Sequence, residues 1–408
     1  LSLIAISEWM LLASFFLYVV ATIVFVLAIT GKRWANRDPK QHERRYGRIG
    51  YLLVLIGFLA QLTYVITRWI AGGHSPTSNM FEFMAFLSFC IILAFLIIYR
   101  IYRLTVLGVF VVPTGIIMLA YASVFPHEIT PLIPALQSYW LHIHVTTAAL
   151  GEGILAVGFA AGLMYLVRTV PQERPTKSTF WLEVVLLVVL MLVGFILLVS
   201  VYAGLDQRTT FSVPQFDQQG NVIATQEVEY VLPAIVAPYQ ATITQAGPLT
   251  PWLEAPVWME GKDAARKLNT LIWSVISGTV LYVLLRLMFR KRLAAVLKPT
   301  VAEIDPDLLD EISYRAIAIG YPVFTLGALI FAMIWAAEAW GRFWGWDPKE
   351  VWALIVWLFY SAYLHLRLSR GWMGLRSAWM SVIGFVIILI TLVVVNLVIA
   401  GLHSYAGV

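Results

Sequence analysis

Residues 335–357 read WAAEAWGRFWGWDPKEVWALIVW and hold six tryptophans: Trp335, Trp340, Trp344, Trp346, Trp352 and Trp357. Inside this stretch Asp347, Pro348 and Glu350 have the pattern of a helix start. Asp347 is an N-cap acceptor, Pro348 takes the first helical position, and Glu350 stands where it can close a capping box. A hydrophobic helix is therefore expected from Pro348, after another that ends near residue 337. Gly341 and Gly345 let the short connection turn while Trp340, Phe343, Trp344 and Trp346 project flat aromatic faces. Two readings fit such a surface: a belt at the headgroup level of a membrane, where Trp concentrates, or a shelf for a large planar apolar ligand.

Working outward, the whole chain has the composition of a membrane protein. Of its 408 residues 60% are hydrophobic and 12% charged, and the mean hydropathy is +0.82. These values exclude a soluble globular domain. A hydrocarbon core about 30 Å thick needs roughly 20 apolar residues per helix. The pattern gives an all-α, polytopic transmembrane helical bundle of about ten spans, near 9–30, 50–71, 80–99, 104–122, 140–167, 180–203, 269–289, 316–337, 350–367 and 378–401. The first apolar run reads as a span, because no small-residue cleavage site follows it. Cys90 is the single cysteine, so the chain has no internal disulfide and no CxxC for thiol exchange.

The net charge of +5 does not indicate nucleic acid, because most Lys and Arg lie in short clusters in alternate loops. By the positive-inside rule the clustered side is cytoplasmic, which puts both termini and the tryptophan loop outside. Three regions follow: an N-terminal bundle over 1–203, an outer segment over 204–268, and a C-terminal bundle over 269–408 carrying the tryptophan loop at 338–350. In the outer segment VPQFDQQGNVIATQEVEYVL alternates polar and apolar residues around Gln219, Gly220 and Asn221, the pattern of a small hairpin. It is read either as a lid or partner surface, or as a solvated insertion without chemistry of its own.

Topology also sorts the seven histidines. His42 lies among cytoplasmic charges and His127 in an outer loop. His142 and His144 open the fifth span in SYWLHIHVTTAAL; about 200° of helical rotation separates them, so they cannot both face one ligand. His365 lies 18 residues beyond Asp347, about 27 Å along the helix and near its cytoplasmic end. An imidazole inside a span is functional by default, being costly there without a partner. His403 follows the last span.

The string WGRFWGWDPKE resembles the tryptophan-rich WWD signature of the haem-handling proteins of cytochrome c maturation. Its continuation VWALIVWLFYSAYLHLR is most similar to the CcsA (ResC) branch, part of a cytochrome c synthetase. Segment GGHSPTSNMFEFM resembles the GHxPxSNxYE segment of that family, with Phe81 where tyrosine is usual. Here His74 is read as part of a structural turn or as a haem contact, and Asn79 or Ser78 as the cap of the third helix ahead of Glu82. Segment WLHIHV resembles the pattern in which a histidine before valine serves as an outer axial ligand. That carries to His144, with His142 the spectator unless the helix start shifts by one residue.

By the same resemblance His403 is the second outer ligand and His365 the transmembrane haem histidine, whose counterpart lies on a CcsB/ResB-type partner. Trp340, Trp344 and Trp346 are expected to hold the porphyrin, and Asp347 either to contact haem or only to cap. The implied activity is that of a haem lyase component of cytochrome c biogenesis. It binds haem b and presents it at the outer face of a bacterial plasma membrane, or a thylakoid, for thioether attachment to the CxxCH cysteines of apocytochrome c. The alternatives are a haem exporter or chaperone that leaves ligation to another protein, and a dihaem electron carrier. No role is assigned to Glu8, Glu82, Glu152 or Glu183.

Overall fold

The structure, a computed structural model, describes residues 2–31, 38–125, 127–129, 137–205, 207–216, 222–259 and 264–395. His403 lies outside the described residues. In chain order come α1 (Leu3–Thr30), α2 (Pro39–Gly72), α3 (Met80–Tyr102), α4 (Leu107–Ala122), α5 (Tyr139–Thr169) and α6 (Lys177–Leu205). Five short strands follow: β1 (Thr209–Phe216), β2 (Val222–Tyr230), β3 (Val236–Ala237), β4 (Thr242–Gln245) and β5 (Leu253–Glu254). The remaining helices are α7 (Ala264–Phe289), α8 (Leu293–Val301), α9 (Pro306–Phe324), α10 (Ala332–Trp340), α11 (Pro348–Arg370) and α12 (Leu375–Ile390). A π-helical segment, Thr325–Phe331, joins α9 to α10 without a break, and a second, Thr391–Val395, continues α12.

Among the described residues nine helices are long and apolar enough to cross a membrane, counting Pro306–Trp340 as one. The chain is an integral membrane protein with a helical-bundle fold. The expectation of about ten such spans is corrected at the fourth. Arg103 turns into the left-handed region at φ 51° and ends α3, so α4 starts only at Leu107 and has 16 residues. At 1.5 Å per residue it is about 24 Å long, short of the roughly 30 Å hydrocarbon core.

The chain divides into two compact units, Leu1–Leu182 with Ala294–Val408, and Glu183–Leu293. In the first, α5 is the most buried span, with 83% of its most apolar window inside the protein. Small residues make this burial possible. A Cβ at Gly151 would lie 2.6 Å from the Phe324 backbone nitrogen and one at Gly158 2.9 Å from Ile317, so α5 and α9 pack almost backbone to backbone.

Two ion pairs pin helices of this unit together, the first fully buried and the second partly so. Arg68 and Glu82, each 1% exposed, meet at 2.9 Å between α2 and α3. The Arg68 Nη2 also donates to the His127 carbonyl at 2.7 Å, and its guanidinium lies 5.1 Å from the centre of the Phe81 ring. Arg367 of α11 donates to Asp310 of α9 from Nη1 and Nη2, each at 2.9 Å. Breaking a pair as desolvated as the first costs of order 3–5 kcal/mol.

In the second unit β1 and β2 pair antiparallel on either side of residues 217–221, as the alternating pattern predicts. The sheet order is β2-β1-β4, and Phe211, Val213, Val228, Tyr230 and Ala234 fill its core. Asn269 of α7 stitches the loop to the helix, accepting from the Ile235 and Val236 amides and donating to the Val236 carbonyl. Helices α6 and α7 meet through Gly278, whose Cβ would strike the Met191 backbone. Glu183 on α6 accepts from the Tyr282 hydroxyl at 2.7 Å and from the Leu293 amide at 3.2 Å.

Candidate functional site

The capping box at the start of α11 forms as its residues dictate. Asp347 accepts the Lys349 amide at 3.0 Å, while Glu350 reaches back to the amides of Asp347 at 3.2 Å and Gly345 at 2.7 Å. Asp347 is buried at 4% exposure, so the cap is shielded from water. Just before it Trp346 sits at φ 57°, a left-handed conformation that costs a residue with a Cβ about 1–2 kcal/mol. The doubled cap offsets that strain and holds 341–347 as a fixed turn. Replacing Asp347 by alanine is expected to lower stability by about 1 kcal/mol, and Asp347→Asn to restore most of it, as thermal unfolding in detergent will show.

His144 lines a cavity on the inner side of this turn, and its orientation comes from the opposite helix. Its Nδ1 lies 2.9 Å from the Gly327 carbonyl in the π segment. A carbonyl only accepts, so Nδ1 carries the proton and the lone pair of the neutral ring is on Nε2. The π geometry supplies that contact: the Gly327 carbonyl already accepts the Ala332 amide, five residues on, and has a second lone pair for the imidazole. Gly327 must be glycine, since a Cβ there would lie 2.6 Å from the Thr147 carbonyl carbon and closer still to the Ala148 nitrogen. The imidazole stacks on Trp335 at 5.7 Å and 13°, and Trp335 meets Trp340 edge-on at 4.8 Å.

The cavity encloses about 1230 Å³ counting its open part, and Trp335, Trp340, Phe343 and Trp344 form its aromatic wall. Its apolar remainder includes Leu141, Val145, Phe324, Val356 and Leu392. Thr77, Ser78 and Asn79 also reach it, held by the start of α3, where Asn79 caps the Glu82 amide at 2.9 Å. Glu82 is therefore explained: it pairs with Arg68 and accepts from the Ser78 amide and hydroxyl, fixing the turn that edges the cavity.

The structure brings His144, Trp340 and Trp344 to one cavity. Trp346 stands apart from its lining, 70% exposed and 6.0 Å from Trp344. His142 faces elsewhere, as the 200° rotation requires, with Nδ1 bonded to the Ser75 hydroxyl. His74 is buried against its own turn, with Nδ1 3.0 Å from the Ser75 carbonyl. His127 packs edge-on to Phe81 at 4.5 Å; burial lowers its pKa below the usual imidazole value, with the Glu8 carboxylate pulling it back up. His365 is exposed on α11, in a stripe with Ile355, Leu358, Ala362 and Leu368.

Three features of the site were not read from the sequence. The stacking of Trp335 on His144 joins two helices and has no local signature. Gly327 is a glycine in the middle of a long apolar helix, a signal of close backbone approach that could have been followed. Glu152 and Lys349 both stand in the lining, and Glu152 Oε2 is buried without a hydrogen-bond partner. Among the described residues no cluster of three or more His, Cys, Asp or Glu could hold a bare metal ion. One imidazole beside an aromatic wall suits a metal that arrives inside a planar macrocycle.

The profile of the family "Cytochrome C assembly protein" matches residues 77–204 and 270–403. The cytochrome c biogenesis protein CcsA of Gloeobacter violaceus is 29% identical over 410 residues, covering 99% of this chain and 97% of that protein. The CcsA proteins of Rippkaea orientalis and Gloeothece citriformis are 30% and 31% identical, each over 88% of this chain and 87% of their own. The matched segments contain the described lining of the cavity, from Thr77 in the turn before α3 to Leu392 beyond α12, and the chain belongs to the cytochrome c assembly protein family, in its CcsA branch.

Proposed function

We propose that this chain is the haem-presenting component of a cytochrome c haem lyase, acting at the outer membrane face with a CcsB/ResB-type partner. The observation that carries the reading is His144, which is fixed through Nδ1 by the Gly327 carbonyl, flat on Trp335, and set in a cavity walled by Trp340, Phe343 and Trp344. The donor set fits haem b: an imidazole whose orienting hydrogen bond leaves the lone pair on Nε2 is the usual state of a metal-binding histidine. Bound haem supplies an iron for axial ligation and two vinyl groups, each of which takes a cysteine sulfur on one carbon and the thiol hydrogen on the other.

The chain's residues position. His144 and His403 would hold the haem iron, so one of the two would have to be exchangeable for the histidine of the CxxCH substrate. Trp340 and Trp344 hold the porphyrin, Trp346 reaches out beside them, and Asp347 keeps the turn in place by capping α11. Most of the rate would come from this positioning. His365, in an exposed apolar stripe, supports the reading that a partner subunit completes a second, transmembrane level. His365→Ala is expected to remove haem of that level from the copurified pair, seen in its absorption spectrum, and to change nothing in the chain purified alone.

The membrane is a bacterial plasma membrane or a thylakoid, with the site outside. The deciding experiment is reconstitution with the partner, ferrous haem and a CxxCH peptide. Haem that resists acid–acetone extraction from the peptide supports ligation. Haem transferred but extractable would give the exporter reading its place.

A further inference from the structure

We infer that Lys349 is the anchor for a carboxylate of the ligand, fixing which edge of the porphyrin enters the cavity. The inference rests on the haem reading above and extends it to the ring's orientation. Among the described residues Lys349 is the only lysine or arginine in the lining. It stands in the first turn of α11, where the positive end of the helix dipole disfavours a cation. Asp347 lies close enough to act on it electrostatically, so part of its charge is already balanced. An ammonium in a half-dry, mostly apolar cavity gains most from an anion that comes with the ligand.

The rest of the polar lining narrows the choice. Glu350 spends its Oε2 on the amides of Gly345 and Asp347. Glu152 lies eight residues along α5 from His144, about 12 Å, with Oε2 unpartnered and 8% of the residue exposed. A carboxylate is drawn to Lys349, while Thr77, Ser78 and Asn79 add neutral hydrogen-bonding groups to the same lining. A single cation among the described lining residues leaves one favoured orientation. The propionate edge of the ring lies against Lys349, and the rest of the macrocycle against the tryptophans.

The test compares iron protoporphyrin IX with its uncharged dimethyl ester, titrated by absorbance into the full chain copurified with its partner. Wild type is expected to bind the acid at least tenfold tighter than the ester. In Lys349→Met that ratio should collapse to near one with ester affinity unchanged, and Lys349→Arg should keep it. A wild-type ratio retained in Lys349→Met overturns the inference, and so does an equal loss for both porphyrins, the mark of a structural role. If wild type binds neither porphyrin, the haem reading itself fails, and His144→Ala will then leave the spectrum unchanged.

Discussion

His144→Ala is expected to strip haem from the outer site, lowering haem per purified chain at least tenfold, with recovery in millimolar imidazole. The magnitude follows from what the residue supplies. Losing only the partner that orients a metal-binding histidine typically costs about 10–100-fold in affinity, and losing the ligand costs more. Rescue is expected because the space left by the ring keeps its Trp335 floor and the Gly327 carbonyl that can accept the N–H of a free imidazole. His142→Ala is the control. Its ring is bonded to Ser75, so the spectrum should not change. The reverse pattern, with haem lost in His142→Ala and kept in His144→Ala, would exchange the two assignments.

Gly327→Leu is expected to empty the same site without rescue. The added Cβ meets the backbone of Thr147 and Ala148, atoms that cannot swing aside as the end of a side chain can. Overpacking a tight interior costs about 1–3 kcal/mol, and a clash with backbone lies at the upper end of that range. Relief comes from moving the π segment off α5, and that movement takes the carbonyl away from His144. Both a lower unfolding temperature and loss of haem should follow, with imidazole ineffective because the wall itself has shifted. Wild-type haem content and imidazole response in Gly327→Leu would show that the carbonyl contact does not orient the ligand.

Much of the architecture was legible beforehand because it depends on local properties. Hydropathy along the chain marked the spans, since each segment's transfer into the bilayer core is set mainly by its own side chains. It erred at α4, where the left-handed turn at Arg103 shortens an apolar run by a few residues that composition cannot weigh. The Asp347 cap was readable because its partners lie within three residues. The hairpin of the outer segment was readable from strand alternation and turn residues. The aromatic wall was half legible. Trp340 and Trp344 stand in the cavity lining, whereas the left-handed backbone at Trp346 turns its side chain out of it.

The histidines show where local reading stops. Helical rotation alone separated His142 from His144, but which of them faces the ligand depends on what packs against α5. That partner, Gly327, is 183 residues away in the chain. Glu82 is similar: a glutamate inside a span had no visible purpose until α2 brought Arg68 to within 2.9 Å. The amino-acid sequence alone determined that this is a helical membrane protein, where its tryptophan turn lies, how that turn is capped, and which family it resembles. All of these are sums over neighbours in the chain. Only the tertiary structure decided that the imidazole of His144 is tautomerically fixed, backed by Trp335, and set in one cavity with Glu152 and Lys349, because those relations arise where faces of distant helices meet.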